Sequence, residues 1–600
     1  MKKSTINGKD FYDYIKSGAN EVYGMKDDLN RINVFPVKDG DTGTNLVMTM
    51  NSIVDETEVS DDFDVMIRSM SNVAFESARG NSGIIFASFI NGFSNACGQL
   101  KTLTMEEFSN GATVAVEEAY SAVSTPVEGT MLTVIKEWAE YIAENYKKHH
   151  YFSDLLEAAY SKAKIALDET PEKLEILRKN KVVDSGAKGF VLFLEGINNL
   201  VSELKQTIHE QPKTFTNEST FENSVDDSYH DQLTTFRYCT EIVLRNDIVE
   251  KPKLEALLGV FGDSMIVTGN GRLIKLHIHT DAPDQVTKML IENNYVISKS
   301  KVDDMKIQND VELNKLSEIA ILTDSIADIS MDLIEKEQIH VVSASLIADE
   351  SVYLDKMTVT QDNIKAILDN SKKYPSSTQP DVKQIRAKME WLLGHYKSVV
   401  VISVSKALSG TYGNFEKIVD EYASNGYDIK LVDSKLNTSG QGMVVLKAAE
   451  MANKGHSVEE IVSMVEDEIP RTDIYVSLDT FKYAVKGGRV PNKIGKVLMF
   501  LGAKPVMTLK RSGEGTAFGL AFSRKSIDKK IMKHVAKINS EFGIDRYTIV
   551  HSANPELAEQ YANMCEEIIG KKPLYMTPIS AVTTIHSGIG SVAISLVRGR

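Results

Sequence analysis

Two kinds of residue group in this 600-residue chain have types and spacings that could do chemistry. The first is an acidic loop, NVFPVKDGDTGTN, at residues 33–45. Asp39 and Asp41 flank Gly40, so in extended backbone their carboxylates project to the same side. Thr42, Gly43, Thr44 and Asn45 then lead into a predicted helix at Leu46, offering backbone N–H groups and a positive dipole end to phosphates. Hard carboxylate oxygens beside a helix start suit a Mg²⁺–nucleotide complex. The plainer alternative is an Asx turn that caps the helix. The second group is His277 and His279, an H-x-H on a predicted strand, with both imidazoles on one side. Cys239, in the strand-like run 236–245, completes a candidate Cys/His₂ set for Zn²⁺, with no fourth ligand identifiable. A purely structural histidine pair is the alternative there.

Three further polar helix starts accompany the acidic loop. SARGNSG (77–83) supplies Asn81, Ser82 and Gly83, EGTMLTV (128–134) supplies Gly129 and Thr130, and VVDSGAKGF (182–190) supplies Asp184 before Gly186. Each alone reads as a cap. Four such starts in one helical section suggest a ring of dipoles facing one phosphate group.

The elements that must hold these residues fall into three sections. Phe11, Ile15 and Val22 share a helical face, as do Leu132, Ile135, Ala139 and Ile142, and further helices are expected over 63–79, 82–99, 104–122, 151–169 and 187–204. In the middle, 236–245 and 273–280 alternate side chains at period two, as strands do. In the last section the apolar runs 319–325, 398–405, 428–434 and 547–553 end in small or polar residues, with helical stretches between them. That pattern predicts α/β architecture with functional groups at strand C-terminal ends. A polar stretch, Lys205–Gln232, reads as a linker, and Asp303–Ser317 as a weaker break. The expected fold is therefore multidomain: an all-α section over 1–205, a small β-rich α+β section over 232–303 and an α/β section over 318–600.

Composition narrows the function. Lys plus Arg total 68 against 83 for Asp plus Glu, a net charge of −15, which argues against a nucleic acid or an anionic membrane surface as partner. Three cysteines far apart in sequence (Cys97, Cys239, Cys565) cannot form a disulfide framework, so a reducing cytoplasm is expected. The start carries no apolar signal region, and no run of about 18 apolar residues predicts a transmembrane segment.

The motifs NVFPVKDGDTGTN, ARGNSG, EGTMLTV and VVDSGAKG resemble the nucleotide-binding helical domain of the dihydroxyacetone kinase family, in the version found in bacterial fatty acid kinases. The resemblance covers residues 1–200 and implies a barrel of antiparallel helices that binds ATP. It makes Asp39 and Asp41 Mg²⁺ ligands and makes Thr42, Thr44, Asn45, Asn81, Ser82, Gly83, Gly129, Thr130 and Asp184 nucleotide contacts. The sugar kinases carry a further aspartate before the loop, where this chain has Asn33, whose amide oxygen is a poorer Mg²⁺ ligand. The middle section, with YCTE, GDS and HIHT, resembles the linker domain of fatty acid kinases, which implies a zinc-associated or dimer-forming role for Cys239, His277 and His279.

Residues 318–600 resemble the DegV family of fatty-acid-binding proteins, through ILTDSIADIS, SSTQP, SKALSGTYGN, LVDSKLNTSGQG, KGGRV and IHSGIG. That family holds a fatty acid in an apolar tunnel, and the matching positions for its carboxylate are Ser377, Thr378, Ser409 and His586, while Arg489 matches the family's KGGR arginine. A buried carboxylate needs such hydrogen-bond partners. Where the family has Gly-Pro-Gly after the histidine, this chain has Gly588-Ile589-Gly590, so His586 is expected to be held less rigidly. Together the resemblances imply a fatty acid kinase with its own acceptor domain, in which Arg489 shields developing charge and a homodimer and a downstream acyl-phosphate acyltransferase are partners. The tether would raise the effective acceptor concentration to roughly the millimolar range. Two other readings stay open: a small-molecule kinase acting on a dihydroxyacetone-like hydroxyl, and a non-catalytic lipid carrier or sensor.

Overall fold

The computed structural model describes residues 3–35, 40–123, 125–206, 236–245, 251–269, 273–487 and 504–600. Asp39 and Arg489 therefore lie outside the described residues, as does the linker from residue 207 onward. The chain divides into two compact units, Met1–Asp281 with Val302–Lys306, and Ala282–Lys301 with Ile307–Arg600.

Among the described residues, the first unit holds eight long helices: α1 (Gly8–Gly24), α2 (Thr42–Glu56), α3 (Phe63–Ser77), α4 (Gly80–Cys97), α5 (Met105–Ala122), α6 (Met131–Asn145), α7 (Phe152–Asp168) and α8 (Ser185–Gln206). Two begin with reciprocal capping boxes, Asn7 with Asp10 and Thr104 with Glu107, which satisfy N–H groups that a helix start otherwise leaves open. Their apolar stripes meet in an aromatic core, where Phe89 packs edge-on against Phe93, Trp138 and Phe190. The section is not purely helical. Strands β1 (Thr5–Asn7) and β2 (Thr102–Thr104) pair antiparallel. At three residues each they are too short for alternation to betray them.

The middle section is a sheet ordered β4-β5-β3-β6, from β3 (Tyr238–Arg245), β4 (Gly262–Gly269), β5 (Leu273–Thr280) and β6 (Val296–Asp304). Its polar face packs within the first unit. Ile266 of β4 joins the helical core and bridges to Val123, and the Ser88 and Thr268 hydroxyls meet at 3.2 Å.

In the second unit, β7 (Ile319–Asp324), β8 (His340–Val342), β12 (Ser398–Ser403) and β13 (Asp428–Asp433) form a parallel sheet ordered β13-β12-β7-β8. Strands buried on both faces read as continuous apolar runs, as β7 and β12 do. Strands β9 (Ser345–Ala348), β10 (Ser351–Leu354) and β11 (Ser376–Thr378) make a small antiparallel sheet. A mixed six-stranded sheet combines β14 (Thr472–Ser477), β15 (Lys504–Leu509), β16 (Gly515–Ala521), β17 (Ile544–His551), β18 (Met576–Pro578) and β19 (Val592–Arg598). The weak break expected at Asp303–Ser317 is instead mostly helix α9 (Met305–Asn314). Ile307 and Val311, one turn apart, are buried in the second unit's core, and that stripe is too narrow to stand out among charged neighbours.

Candidate functional site

The acidic loop turns where extended backbone was expected: Gly40 has φ of +62°, and Asp41 has φ of −115° and ψ of −4°. Asp41 sits at the N-cap of α2, yet its carboxylate makes no capping hydrogen bond to that helix. The plain Asx cap is thus not what forms. Behind it, Asn30 accepts from the Thr44 N–H at 3.0 Å and donates to the Thr44 hydroxyl at 2.9 Å, so Thr44 is spent on fixing the helix start. Thr42 is half-buried, Asn45 is buried, and the Asn45 carbonyl accepts from the Thr49 hydroxyl at 2.7 Å. Asn33, the departure from the sugar kinases, is 3% exposed, with its N–H bonded to the Asn30 carbonyl.

The four polar helix starts converge. Gly80 has φ of +59°, and a Cβ there would lie 2.5 Å from the Asn45 Nδ2, so only glycine fits. A Cβ on Gly83 would meet the Thr49 hydroxyl at 2.6 Å, and one on Gly186 the Ser82 hydroxyl at 2.8 Å. Arg79, not Asn81 or Ser82, occupies the α4 cap position, and it makes no side-chain cap. The buried Asn81 Oδ1 has no hydrogen-bond partner among the described residues, leaving an acceptor at the head of α4. At α6, Thr130 likewise makes no side-chain cap: its hydroxyl donates to the Val127 carbonyl, while the Gly129 N–H bonds Thr133. Asp184 behaves differently. Its Oδ1 accepts from the Ala187 N–H at 2.8 Å, and its carboxylate also takes a backbone bond from Met131, so it ties α8 to α6. Burial raises its pKa to about 6, and those two backbone bonds pull the other way. Asp184 is thus a buried cap that ties two helix starts together.

On the sheet, Cys239 lies opposite His279 and Glu241 opposite His277. Cys239 Sγ is 3.7 Å from His277 Nδ1, and the ligand atoms of Cys239, His277 and His279 lie within 4.8 Å of one another. Donors at 2.0–2.3 Å from a tetrahedral Zn²⁺ sit about 3.5 Å apart, so the trio fits one ion. Burial lowers the His279 pKa, which Asp263 partly offsets, and a neutral imidazole is the ligating form. Glu241 and Lys275, both buried, share this face, with Glu241 Oε2 3.5 Å from Lys275 Nζ. Neither is among the residues expected from the sequence, although period-two alternation puts 239 with 241 and 275 with 277 and 279.

In the second unit, the Ser377 hydroxyl and His586 Nε2 are 3.1 Å apart, so two residues 209 positions distant meet. Thr378, next along β11, is exposed and projects to the opposite face, so the two hydroxyls do not share a face. Ser409 spends its hydroxyl on Thr411, at 2.8 Å from that Oγ1 and 3.2 Å from its N–H. Its turn still adjoins the Ser377 loop: a Cβ on Gly410 would lie 2.8 Å from Gln379 Oε1, and Asn414 donates to the Pro380 carbonyl at 3.0 Å. The backbone at Gly487 abuts the His586 ring. After the histidine, where proline is missing, Gly588 (φ +91°) lies against the Tyr483 ring, and Gly590 bonds Ser552 and Asn554. Those contacts hold the loop in place of the missing ring.

Among the described residues, no helix is long and apolar enough to cross a membrane. Residues 36–199 match the model of the DAK2 domain, residues 235–312 that of the FakA-like middle domain of fatty acid kinase, and residues 318–599 that of the DegV family. An uncharacterized protein of Staphylococcus epidermidis is 29% identical over 500 residues, covering 78% of this chain and 87% of that protein. Protein YloV of Bacillus subtilis is 32% identical over 319 residues, 52% of this chain and 57% of that protein. Among solved structures, a fatty acid binding DegV family protein from Streptococcus agalactiae covers 47% of this chain and 99% of its own, at 22% identity and a TM-score of 0.43. DegV from Bacillus subtilis, described as a fatty acid binding protein, gives 23% and 0.42, with 47% and 99% covered. Together the three domain models support a fatty-acid-related function with a kinase-like first section. The chain thus joins a DAK2 domain, a FakA-like middle domain and a DegV-family domain in one polypeptide.

Proposed function

We propose that this chain phosphorylates a fatty acid on its carboxylate, giving ADP and an acyl phosphate, with the acid presented by residues 318–600. The observation that carries this reading is the convergence of the α2, α4, α6 and α8 starts beside Asp41, whose carboxylate is not used to cap its helix. A fatty acid carboxylate, with an unperturbed pKa of about 4 to 5, is already ionised at neutral pH, so no general base is needed. One of its oxygens attacks the γ-phosphorus, the new O–P bond forms as the β–γ bridge breaks, and ADP leaves with the electron pair. The helix starts offer N–H dipoles to the phosphates. Asp41, with Asp39, would hold Mg²⁺, which supplies neutralisation of phosphate charge when bound. Cys239, His277 and His279 would hold Zn²⁺, which supplies a fixed positive charge on the sheet when bound. Ser377 and His586 would hydrogen-bond the carboxylate, and Arg489 is the cation assigned to shield developing charge. The same reading implies a cytoplasmic enzyme, a second copy of the chain as partner and an acyltransferase that consumes the product.

Carboxyl-¹⁸O fatty acid tests the bond that forms. After reaction with Mg·ATP and trapping by hydroxylamine, one ¹⁸O is expected on the released phosphate, because the bridging oxygen comes from the acid. Unlabelled phosphate beside a steady release of ADP would contradict carboxylate attack.

A further inference from the structure

One polar cluster on the same sheet face as the Cys239, His277 and His279 trio reaches across to the helices. Glu241 and Lys275 stand on adjacent strands of the middle sheet, 5% and 3% exposed. Glu241 Oε1 accepts from the Gly80 N–H at 2.6 Å, and its Oε2 faces Lys275 Nζ at 3.5 Å. Lys275 Nζ donates to the Ala78 carbonyl. The pair therefore grips the backbone on both sides of Arg79, immediately ahead of α4. The Arg79 N–H in turn donates to the Thr49 hydroxyl at 3.1 Å, and Gly80 abuts Asn45, so the gripped segment touches α2 twice. Glu241 Oε1 also lies 4.0 Å from His277 Nδ1.

We infer that Glu241 and Lys275 are positioning residues for the nucleotide-binding loop, with which the middle sheet sets the Ala78–Gly80 backbone and through it Asn45 and the first turn of α4. This rests on the reading of that loop as an ATP site. Burying an ion pair is costly unless each group is fully hydrogen-bonded. Here both ends are anchored on one three-residue backbone segment, which spends the pair on local geometry. A carboxylate at a positive-φ glycine also holds a helix start in its phosphate-ready form before any ligand arrives. The device explains why the sheet presents its polar face to the helices when an apolar face would bury more cheaply.

The test uses the full chain, with Mg·ATP binding by calorimetry, amide exchange at residues 78–84 and thermal melting as readouts. Glu241→Ala should weaken Mg·ATP about tenfold or more, as loss of a buried charge-assisted bond does, and should speed exchange at Gly80 to Gly83. Lys275→Met should do the same more weakly, and Glu241→Gln, which keeps an acceptor for Gly80, should recover much of both. Thr268→Ala removes another buried contact between sheet and helices without touching Ala78–Gly80, and should lower the melting temperature with nucleotide affinity unchanged. Should Glu241→Ala fail to fold, Lys275→Met carries the comparison, with Glu241→Gln expected nearer to wild type. Wild-type affinity and exchange in folded Glu241→Ala or Lys275→Met would overturn the inference. A wild-type chain that binds no Mg·ATP would overturn the kinase reading itself, and the positioning role with it.

Discussion

The two units carry similar short motifs of Gly, Ser, Thr and Asn at helix starts, and they use them in different proportions. In the first unit, α2, α4 and α6 begin without side-chain caps, at Asp41, Arg79 and Thr130. In the second, Asp381, Ser523, Asn554 and Ser580 each cap the helix they precede, and Ser409 is spent on Thr411. A cap bond stabilises a helix by about 1 kcal/mol, and these three long helices forgo one from their own N-cap residue; at α4 the Glu241 carboxylate takes the Gly80 N–H instead. The second unit is mixed: Asn437, ahead of the long helix Thr438–Asn453, also makes no side-chain cap, while the Ser377 hydroxyl meets His586. Motif composition alone does not separate a site from a cap. The partner of the side chain does.

Substitutions that break this contrast are expected to rank as follows. Asp41→Ala should lower acyl phosphate formation about 100-fold or more, the scale of a lost metal ligand, and leave fatty acid binding unchanged, as hydroxamate trapping and lipid titration would read. His586→Ala should weaken fatty acid binding about tenfold, with Mg·ATP affinity unaltered. Ser377→Ala should cost about fivefold and Thr378→Ala no more than about twofold, because only Ser377 faces the histidine. Equal losses at 377 and 378 would mean that both hydroxyls reach the ligand. Cys239→Ser should remove the zinc, near one ion per chain by elemental analysis, with a lowered melting temperature for the first unit.

A separate effect, on stability and not on activity, concerns acid. Burial raises the pKa of Asp324, at the end of β7, to about 6, while the Val404 and Ile326 N–H groups bond it and pull it back. An unfolded aspartate titrates near about 3.9, so between these values the folded chain holds the extra proton. Stability from this group is then present at the acid end of that window and falls as pH rises through it, by at most about 3 kcal/mol. Asp324→Asn should flatten the dependence of melting temperature on pH between about 4 and 6. A slope identical to wild type would show that Asp324 is not protonated in that range.

The fold was legible wherever apolar residues kept a clear period, as in α4, in the buried runs β7 and β12, and in alternating β3 and β5. It was not legible at α9, where Ile307 and Val311 are buried among charged neighbours, or at β1 and β2, which are three residues long. For the candidate site, residue types singled out Asp41, Ser82, Cys239, His277, His279 and His586, because side-chain chemistry is written in the sequence. Glu241 was missed for the converse reason. Its partner is the backbone N–H of Gly80, 161 positions away, and a backbone amide has no letter.

The most direct measurement of the central claim is ADP release by the full chain with Mg·ATP, with and without a long-chain fatty acid, in the presence of hydroxylamine. Lipid-dependent ADP release matched one for one by acyl hydroxamate is the expected result. ATP turnover that ignores the lipid and yields no hydroxamate would contradict it.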